Sequence, residues 1–388
     1  MRNVFIAGVG QTPVSKQSEL DVRTLGAQAV RAAIRDSQLE DPTALFVGNM
    51  LSGMLSEQQQ LGALIATSAG LSGIEAATVE AACGSGAAAA RWGVMAIASG
   101  LHDVVVVCGV ERMTHAAKER TTRALASASD FDTEGSRGET FVSLNARLMR
   151  AYMDEHHVEA SVFGPFAVNA HRNAARNPHA LFKKEVDQTT YDDARQVEGP
   201  LKLFDVSPIC DGSAAIVLVS EEVAKRVARN GAPLVRVRGS AVATDSLGLD
   251  DRVKLLHLAA AERSAKRAFQ DAGVTAADID LLELHDAYTV MSVLSLEAAG
   301  FAAAGHGYEL GLDGSIRVEG RLPITTMGGL KGRGHPVGAS GVYQLVEAYT
   351  QLTGRAAGNQ VQNARLAMTQ NMGGTGATVI THILERAA

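Results

Sequence analysis

Aromatic side chains are scarce in this chain: Phe, Trp and Tyr make up 4% of its 388 residues, with a single Trp. So few rings exclude the stacked platforms on which proteins hold single-stranded nucleic acid. A formal charge of −6 offers no general attraction to phosphate backbones either. Cysteine is nearly absent. Cys83, Cys108 and Cys210 are too few and too scattered for a disulfide framework or a cysteine-based zinc site. His156, His157, His171 and His179 lack metal-ligand spacing, so no metal is expected. No apolar run is long enough to span a bilayer. Polar residues interrupt the N-terminal apolar run before it forms a secretory signal, and Leu384-Glu385-Arg386-Ala387-Ala388 is neither a peroxisomal tripeptide nor a prenylation box. The expectation is a cytoplasmic protein without a membrane segment.

What the chain does have is 39 glycines and a hydrophobic content of 46%, which fits closely packed helices and glycine-shaped loops. Short apolar runs read as strands at 4–7, 104–108, 215–219, 234–239, 281–284, 367–370 and 377–383. Several are continuously apolar, as in strands covered on both faces. Helical periodicity is clearest at 25–36, 87–99, 259–272 and 342–353. Strand–helix alternation of this kind indicates a layered α/β fold.

The chain also resembles itself. The segment AVRAAIRDSQLEDPTALFV has a counterpart in SAKRAFQDAGVTAADIDLLEL, and each leads to a Gly/Ala-rich helix start, ACGSGAAAARWGV and GHPVGASGVYQLV. Each helix is then followed by a strand running into glycine, VVVVCGVERM and LAMTQNMGGTG. One long repeat points to a duplicated half with two helix starts facing a common site. The expected division is an N-terminal half of residues 1–113 plus 207–245, an inserted cap of 114–206, and a C-terminal half of 246–388. The cap is more polar, as in KKEVDQTTYDDAR, and insertions of this kind often carry specificity.

Four segments hold residues suited to chemistry. Cys83 precedes Gly84-Ser85-Gly86 and a helix start, where the macrodipole and free N–H groups favour a thiolate. A buried cysteine packing as a small hydrophobe accounts for it equally well at this point. His335, between Gly334 and Pro336, is expected at a helix cap with a pKa near neutrality, placed to take a proton from a thiol. His285 follows an apolar strand and could donate to an oxyanion, while Asp286 reads as a helix cap. In Asn371-Met372-Gly373-Gly374-Thr375-Gly376 the Gly373 N–H could pair with that of Cys83 as an oxyanion hole. Gly8-Val9-Gly10 meets Pro13 where a dinucleotide fingerprint needs its third glycine, and the stretch 327–335 lacks the Gly-Lys-Ser/Thr end of a P-loop.

Together these segments resemble the thiolase superfamily along essentially the whole chain. Ala82-Cys83-Gly84-Ser85-Gly86 is similar to its Cys-x-Ser nucleophile motif, and Gly334-His335-Pro336 to its Gly-His-Pro motif. His285-Asp286-Ala287-Tyr288 stands where common thiolases carry Asn-Glu-Ala-Phe. Its His-Asp form resembles the sterol-carrier-protein-type and archaeal acetoacetyl-CoA branch, as do Phe163-Gly164-Pro165, Asn177-Pro178 and Cys210-Asp211-Gly212-Ser213. The resemblance implies a five-layered α/β/α/β/α fold with two mixed five-stranded sheets, and a homodimer or dimer of dimers. It implies that Cys83 takes the acyl group, that His335 activates it, and that His285 and His335 form one oxyanion hole and the N–H groups of Cys83 and Gly373 the other. Ser85, Asn371 and Gly334 would line the site. Coenzyme A and its acyl thioesters would be substrates, with no permanent cofactor, and the place in metabolism would be lipid chemistry. The branch further implies an OB-fold, zinc-ribbon scaffold protein and hydroxymethylglutaryl-CoA synthase as partners.

One departure stands out. The family's second cysteine, a general acid/base, is replaced here by Asn371, and the position inside the His-Asp motif that compensates in some relatives is Ala287. That leaves His285 or His335 to move the carbon-bound proton, directly or through water. It also keeps two other readings open: a C-acetyltransferase or retro-aldolase acting on a non-CoA acceptor, and a non-catalytic acyl-CoA-binding subunit.

Overall fold

The computed structural model describes residues 2–229 and 231–387. Its strands are β1 (Val4–Gln11), β2 (Ala44–Gly48), β3 (Glu75–Val79), β4 (Val104–Glu111), β5 (Gln196–Glu198), β6 (Leu201–Lys202), β7 (Gly212–Ser220), β8 (Val235–Thr244), β9 (Leu281–Glu283), β10 (Leu366–Gly373) and β11 (Thr378–Arg386). Nine of them form one sheet in the order β3-β2-β4-β7-β1-β8-β11-β10-β9, and β5 and β6 pair separately. Parallel pairing is confined to β2 with β3 and β4, and β9 with β10; the rest is antiparallel.

The duplication read in the sequence appears as matching strand order. In the first half β2, β4, β7 and β1 follow one another across the sheet; in the second, β9, β10, β11 and β8 do the same. The halves join where β1 pairs β8 over three residue pairs, Val4–Val237, Phe5–Arg236 and Ile6–Val235. Two separate five-stranded sheets were expected, and the structure corrects this: the halves share hydrogen bonds, and the second has four strands. Its fifth position is a single parallel bridge between Leu282 and Ile324. Pro323, with no N–H to donate, stops that segment from extending into a ladder.

Alternation along the strands fills three separate cores between five layers. Val104, Val106, Cys108 and Val110 face outward with Leu45 and Val47 onto the helices Val22–Ser37, Leu61–Ala69 and Glu221–Ala228. Val105, Val107, Ile216 and Leu218 face inward onto the helices Ser85–Ser99 and Ser340–Leu352, which also meet Leu281, Ala367 and Leu384 of the second half. The remaining core packs Met368, Met372, Val379 and Ile383 against the helices Ala259–Ala272 and Thr289–Ala298, with Leu148, Tyr152 and Phe166 from the cap region. Burying this many side chains at about 25 cal/mol per Å² of apolar surface is the main force holding the layers together.

The two central helices need glycine where they start. A Cβ on Gly86 would stand 2.8 Å from the Gly338 carbonyl oxygen, and one on Gly341 would strike the backbone N of Ala87. That contact explains the small residues at both helix starts, and it brings the two N-terminal ends together.

Candidate active site

Cys83 is delivered by a strained turn. Ala82 holds φ at +51°, a left-handed conformation that costs a non-glycine residue about 1 kcal/mol. Ser85 fixes it: its hydroxyl donates to the Ala82 carbonyl at 2.5 Å and accepts the Ala81 N–H at 2.9 Å. Ser85 is therefore a brace behind the nucleophile turn, fully buried, and does not line the cavity. Cys83 itself is 7% exposed and packs with Leu51, Met113 and Val337. A helix start by itself favours the thiolate. Burial outweighs the helix terminus and, helped by the nearby Glu111 carboxylate, pushes the thiol up to about 12. The resting group is a thiol.

His335 follows a buried π-helical turn, Gly329–Arg333, and Gly334, whose φ of +114° only glycine adopts readily. Its ring Nδ1 lies 2.7 Å from the Ser340 hydroxyl, which donates its own proton to the Pro336 carbonyl at 3.1 Å. Ser340 is thus the acceptor of an Nδ1–H, and the His335 Nε2 carries a lone pair. The helix begins at Ser340, one 3-10 turn (Val337–Ala339) later than the Gly-His-Pro pattern led us to place it. Nor is the imidazole near neutrality: burial, then His285 and Arg333, lower its pKa well below the ordinary value.

His285 takes the opposite form. Its Nδ1 accepts the Met372 N–H at 3.2 Å, and the Asn371 side-chain nitrogen lies 3.0 Å from the same atom. The proton must then sit on Nε2, which makes His285 a donor. Burial pushes its pKa down to about 4, with Asp286 opposing. The two rings stand nearly perpendicular with centroids 5.2 Å apart. The opposite tautomers suit the two neutral rings to different tasks: the His335 Nε2 lone pair can take a proton, and the His285 Nε2–H can stabilise a negative charge.

Cys83, His285 and His335 open on one cavity of about 620 Å³. Gly373 adjoins the nucleophile turn from the other side: its backbone N lies 3.2 Å from where a Gly84 Cβ would be, and any Cβ of its own would strike the Ala81 carbonyl. Gly334 packs against Val14, Cys210 and Leu181, away from the cavity, and Asn371 sits behind His285. Cys210 accepts the His335 N–H at 3.0 Å and supports that loop, while Cys108 belongs to the outer core. Segments of the expected cap supply most of the outer wall, through Phe141, Asn145, His171, Phe182, Phe204 and others.

Comparison with known proteins fits this geometry. The family model "Thiolase, N-terminal domain" matches residues 4–222, and "Thiolase C-terminal domain-like" matches 241–386. An acetyl-CoA acetyltransferase of Methanothermobacter thermautotrophicus is 39% identical over 100% of both chains. The benzoylsuccinyl-CoA thiolase subunit BbsB of Thauera aromatica is 32% identical over 96% of this chain and 95% of that one. Among solved structures, an Ltp2–ChsH2(DUF35) aldolase superposes with a TM-score of 0.84 over 99% of this chain and 98% of that one, at 24% identity, and shows the shared fold.

The chain belongs to the thiolase family.

Within this thiolase, several residues around the site escape a reading of the sequence. Glu111 joins the halves: its carboxylate accepts N–H bonds from Met50 at 2.9 Å and Leu51 at 3.3 Å on one side, and from Gly338 at 3.1 Å on the other. Burial pushes its pKa up to about 7. Lys331 and Arg333 are 1% and 0% exposed, paired with Asp286 at 3.1 Å and Glu347 at 2.7 Å. Tyr288 joins the cavity wall. Nothing in the local pattern marks these partners, which come from distant segments.

The tautomer of His335 gives a direct test. Ser340→Ala should lower the rate of Cys83 acylation roughly 10- to 100-fold while the fold persists, because Nδ1–H loses its acceptor and the ring its orientation. In the wild type, acylation should stay level as pH falls through 6.5, since both rings are already held neutral there. A stopped-flow pH profile with an inflection at 6.5 would contradict the neutral assignment.

Proposed function

We propose that this thiolase is an acyl-CoA C-acyltransferase, most simply one that interconverts acetoacetyl-CoA plus CoA with two molecules of acetyl-CoA. The observation that carries this reading is the pair of oppositely protonated imidazoles facing the Cys83 cavity. In the degradative direction the His335 Nε2 takes the Cys83 proton as the sulfur bonds to the ketone carbon. The His285 Nε2–H stabilises the oxyanion that forms. The carbon–carbon bond breaks, an enolate of acetyl-CoA leaves, and Cys83 keeps the acetyl group as a thioester. A CoA thiol then attacks and gives its proton to His335, with the N–H groups of Cys83 and Gly373 receiving the new oxyanion, and His335 passes that proton to the departing Cys83 sulfur.

Burial of the thiol favours this concerted removal of its proton over a standing thiolate, which would face the cost of an unpaired charge at a buried site. The exposed cations Lys118 and Arg195 at the cavity wall suit the phosphate groups of coenzyme A, and Arg123 adds to them in the adjoining groove. No permanent cofactor has a part in these steps. The three-part division into halves and cap, a cytoplasmic location and a dimer or dimer of dimers complete the reading. It extends to a hetero-complex with an OB-fold, zinc-ribbon scaffold and hydroxymethylglutaryl-CoA synthase; the structural neighbour that pairs Ltp2 with a DUF35 protein supports a partner of that type. No helix among the described residues is long and apolar enough to cross a membrane.

A thiolysis assay over a series of 3-ketoacyl-CoA chain lengths tests the activity. Cleavage of acetoacetyl-CoA should require free CoA and yield two acetyl-CoA per turnover. Cleavage that ignores CoA would sink the proposal.

A further inference from the structure

Tyr288 is unusual among the buried tyrosines because the protein makes no use of its hydroxyl. Tyr152 donates to Glu297 at 2.7 Å, Tyr191 to Asp205 at 2.8 Å, Tyr343 to the Thr12 carbonyl at 2.9 Å and Tyr349 to the Pro233 carbonyl at 3.0 Å. The Tyr288 hydroxyl has no such bond among the described residues, although the residue is only 8% exposed. Nor is that oxygen among the polar atoms sealed away without a partner, so its small exposure includes the hydroxyl. The residue lines the cavity that holds Cys83, His285 and His335. A buried tyrosine hydroxyl ordinarily finds a partner within the protein, and this one is left free on a residue of the wall of the cavity shared with Cys83, His285 and His335.

Its backbone is held from two sides. Tyr288 bridges Val206, with the Ser207 N–H donating to the Ala287 carbonyl at 2.9 Å, and it caps the helix Thr289–Ala298. These contacts fix where the ring leaves the backbone at the cavity wall. Burial raises its pKa, and Cys83, on the same cavity, raises it further. The phenol stays protonated at neutral pH.

This geometry meets a need that acyl transfer through Cys83 leaves open, and the assignment of Tyr288 rests on that reading. When the carbon–carbon bond breaks, the departing enolate needs a proton at carbon, and Asn371 stands where the family's second cysteine would supply it. We propose that Tyr288 is the acid that delivers this proton. The phenol O–H bond breaks, its hydrogen bonds to the enolate carbon, and acetyl-CoA is formed. The phenolate then takes the proton that His335 removed from Cys83, which returns both groups to neutrality. The Cys83 hydrogen has in effect moved to carbon, and no outside oxidant, reductant or acid takes part. In the condensing direction the same steps run backwards, with the phenolate removing a methyl proton from acetyl-CoA.

Tyr288→Phe removes one oxygen and keeps the ring. Acetylation of Cys83 by acetyl-CoA, followed by mass, should proceed in the variant at the wild-type rate. Thiolysis kcat, and exchange of acetyl-CoA methyl hydrogens with deuterated water, should each fall roughly 100-fold, the low end of what general acid–base groups contribute. Retained exchange, or a raised KM with kcat intact, would make the hydroxyl a binding contact and overturn the proposal. Equal slowing of acetylation and exchange would also overturn it, by showing a structural effect. If the wild type takes no acetyl group on Cys83, the acyl-transfer reading itself fails, a result distinct from any outcome of the variant.

Discussion

Cys83→Ala should lower thiolysis by at least about 10⁴-fold, the scale of loss when a covalent nucleophile is removed from a site that acts as a unit. The size of the effect follows from how little else in the cavity can attack a carbonyl. His335 and His285 are neutral rings committed to serine, backbone and asparagine partners. Cys108 lies in the outer core, and Cys210 points behind the His335 loop. Removing the thiol leaves the base and the oxyanion donors with no bond to make. Cys83→Ser is nearly as severe on this account, because a buried hydroxyl is a much weaker acid and His335 has little power to ionise it. Melting temperature should stay close to wild type for both, since the side chain is small and its cluster of Leu51, Met113 and Val337 remains. The measurement is steady-state cleavage of acetoacetyl-CoA; wild-type turnover by the alanine variant would reassign the nucleophile.

Lys331→Met should destabilise the fold by about 3–5 kcal/mol, the usual result of stripping one member from a buried ion pair. Lys331 and Asp286 are each 1% exposed. The ammonium contacts both a carboxylate oxygen at 3.1 Å and the Asp286 carbonyl at 3.0 Å, and the same carboxylate accepts the Leu330 N–H at 2.6 Å. Asp286 adjoins His285, and the turn it holds runs directly into Gly334-His335. The pair therefore ties the loops of the two histidines together. Losing the lysine leaves a carboxylate buried without its charge partner beside a catalytic ring. The melting temperature should drop by several degrees, and kcat should fall with it as the ring spacing relaxes. Adding Asp286→Asn to Lys331→Met should restore part of the stability, because it removes the orphaned charge. A double variant less stable than either single one would contradict the ion-pair account.

The sequence made the layered fold and the reacting groups readable because both are written in local pattern. Continuous apolar runs gave β4, β7 and β11, and helix starts rich in glycine announced the crowded meeting of the central helices. β3 went unread: Glu-Ala-Ala-Thr-Val has little apolar bulk, and the strand is a partly exposed edge. The fifth strand of the second half failed to appear because Pro323 breaks its ladder. At the site, residue types were legible and their states were not. The tautomer of His335 depends on a serine five residues away whose hydroxyl is already committed, and that of His285 on a backbone N–H from β10. The charge state of Cys83 depends on how deeply three layers bury it, which no neighbouring residue reveals. The pairing of Lys331 and Arg333 was not legible because the acids that receive them, Asp286 and Glu347, lie elsewhere in the chain.

The central claim is that an acyl group passes through the Cys83 sulfur. Intact mass measured after mixing the protein with acetyl-CoA, followed by mapping of the peptide that carries residue 83, tests it most directly. The account predicts one acetyl group per chain, on Cys83, which disappears when free CoA is added and acetyl-CoA forms. An unmodified Cys83 during turnover, or an acetyl group on another residue that free CoA discharges, would contradict it.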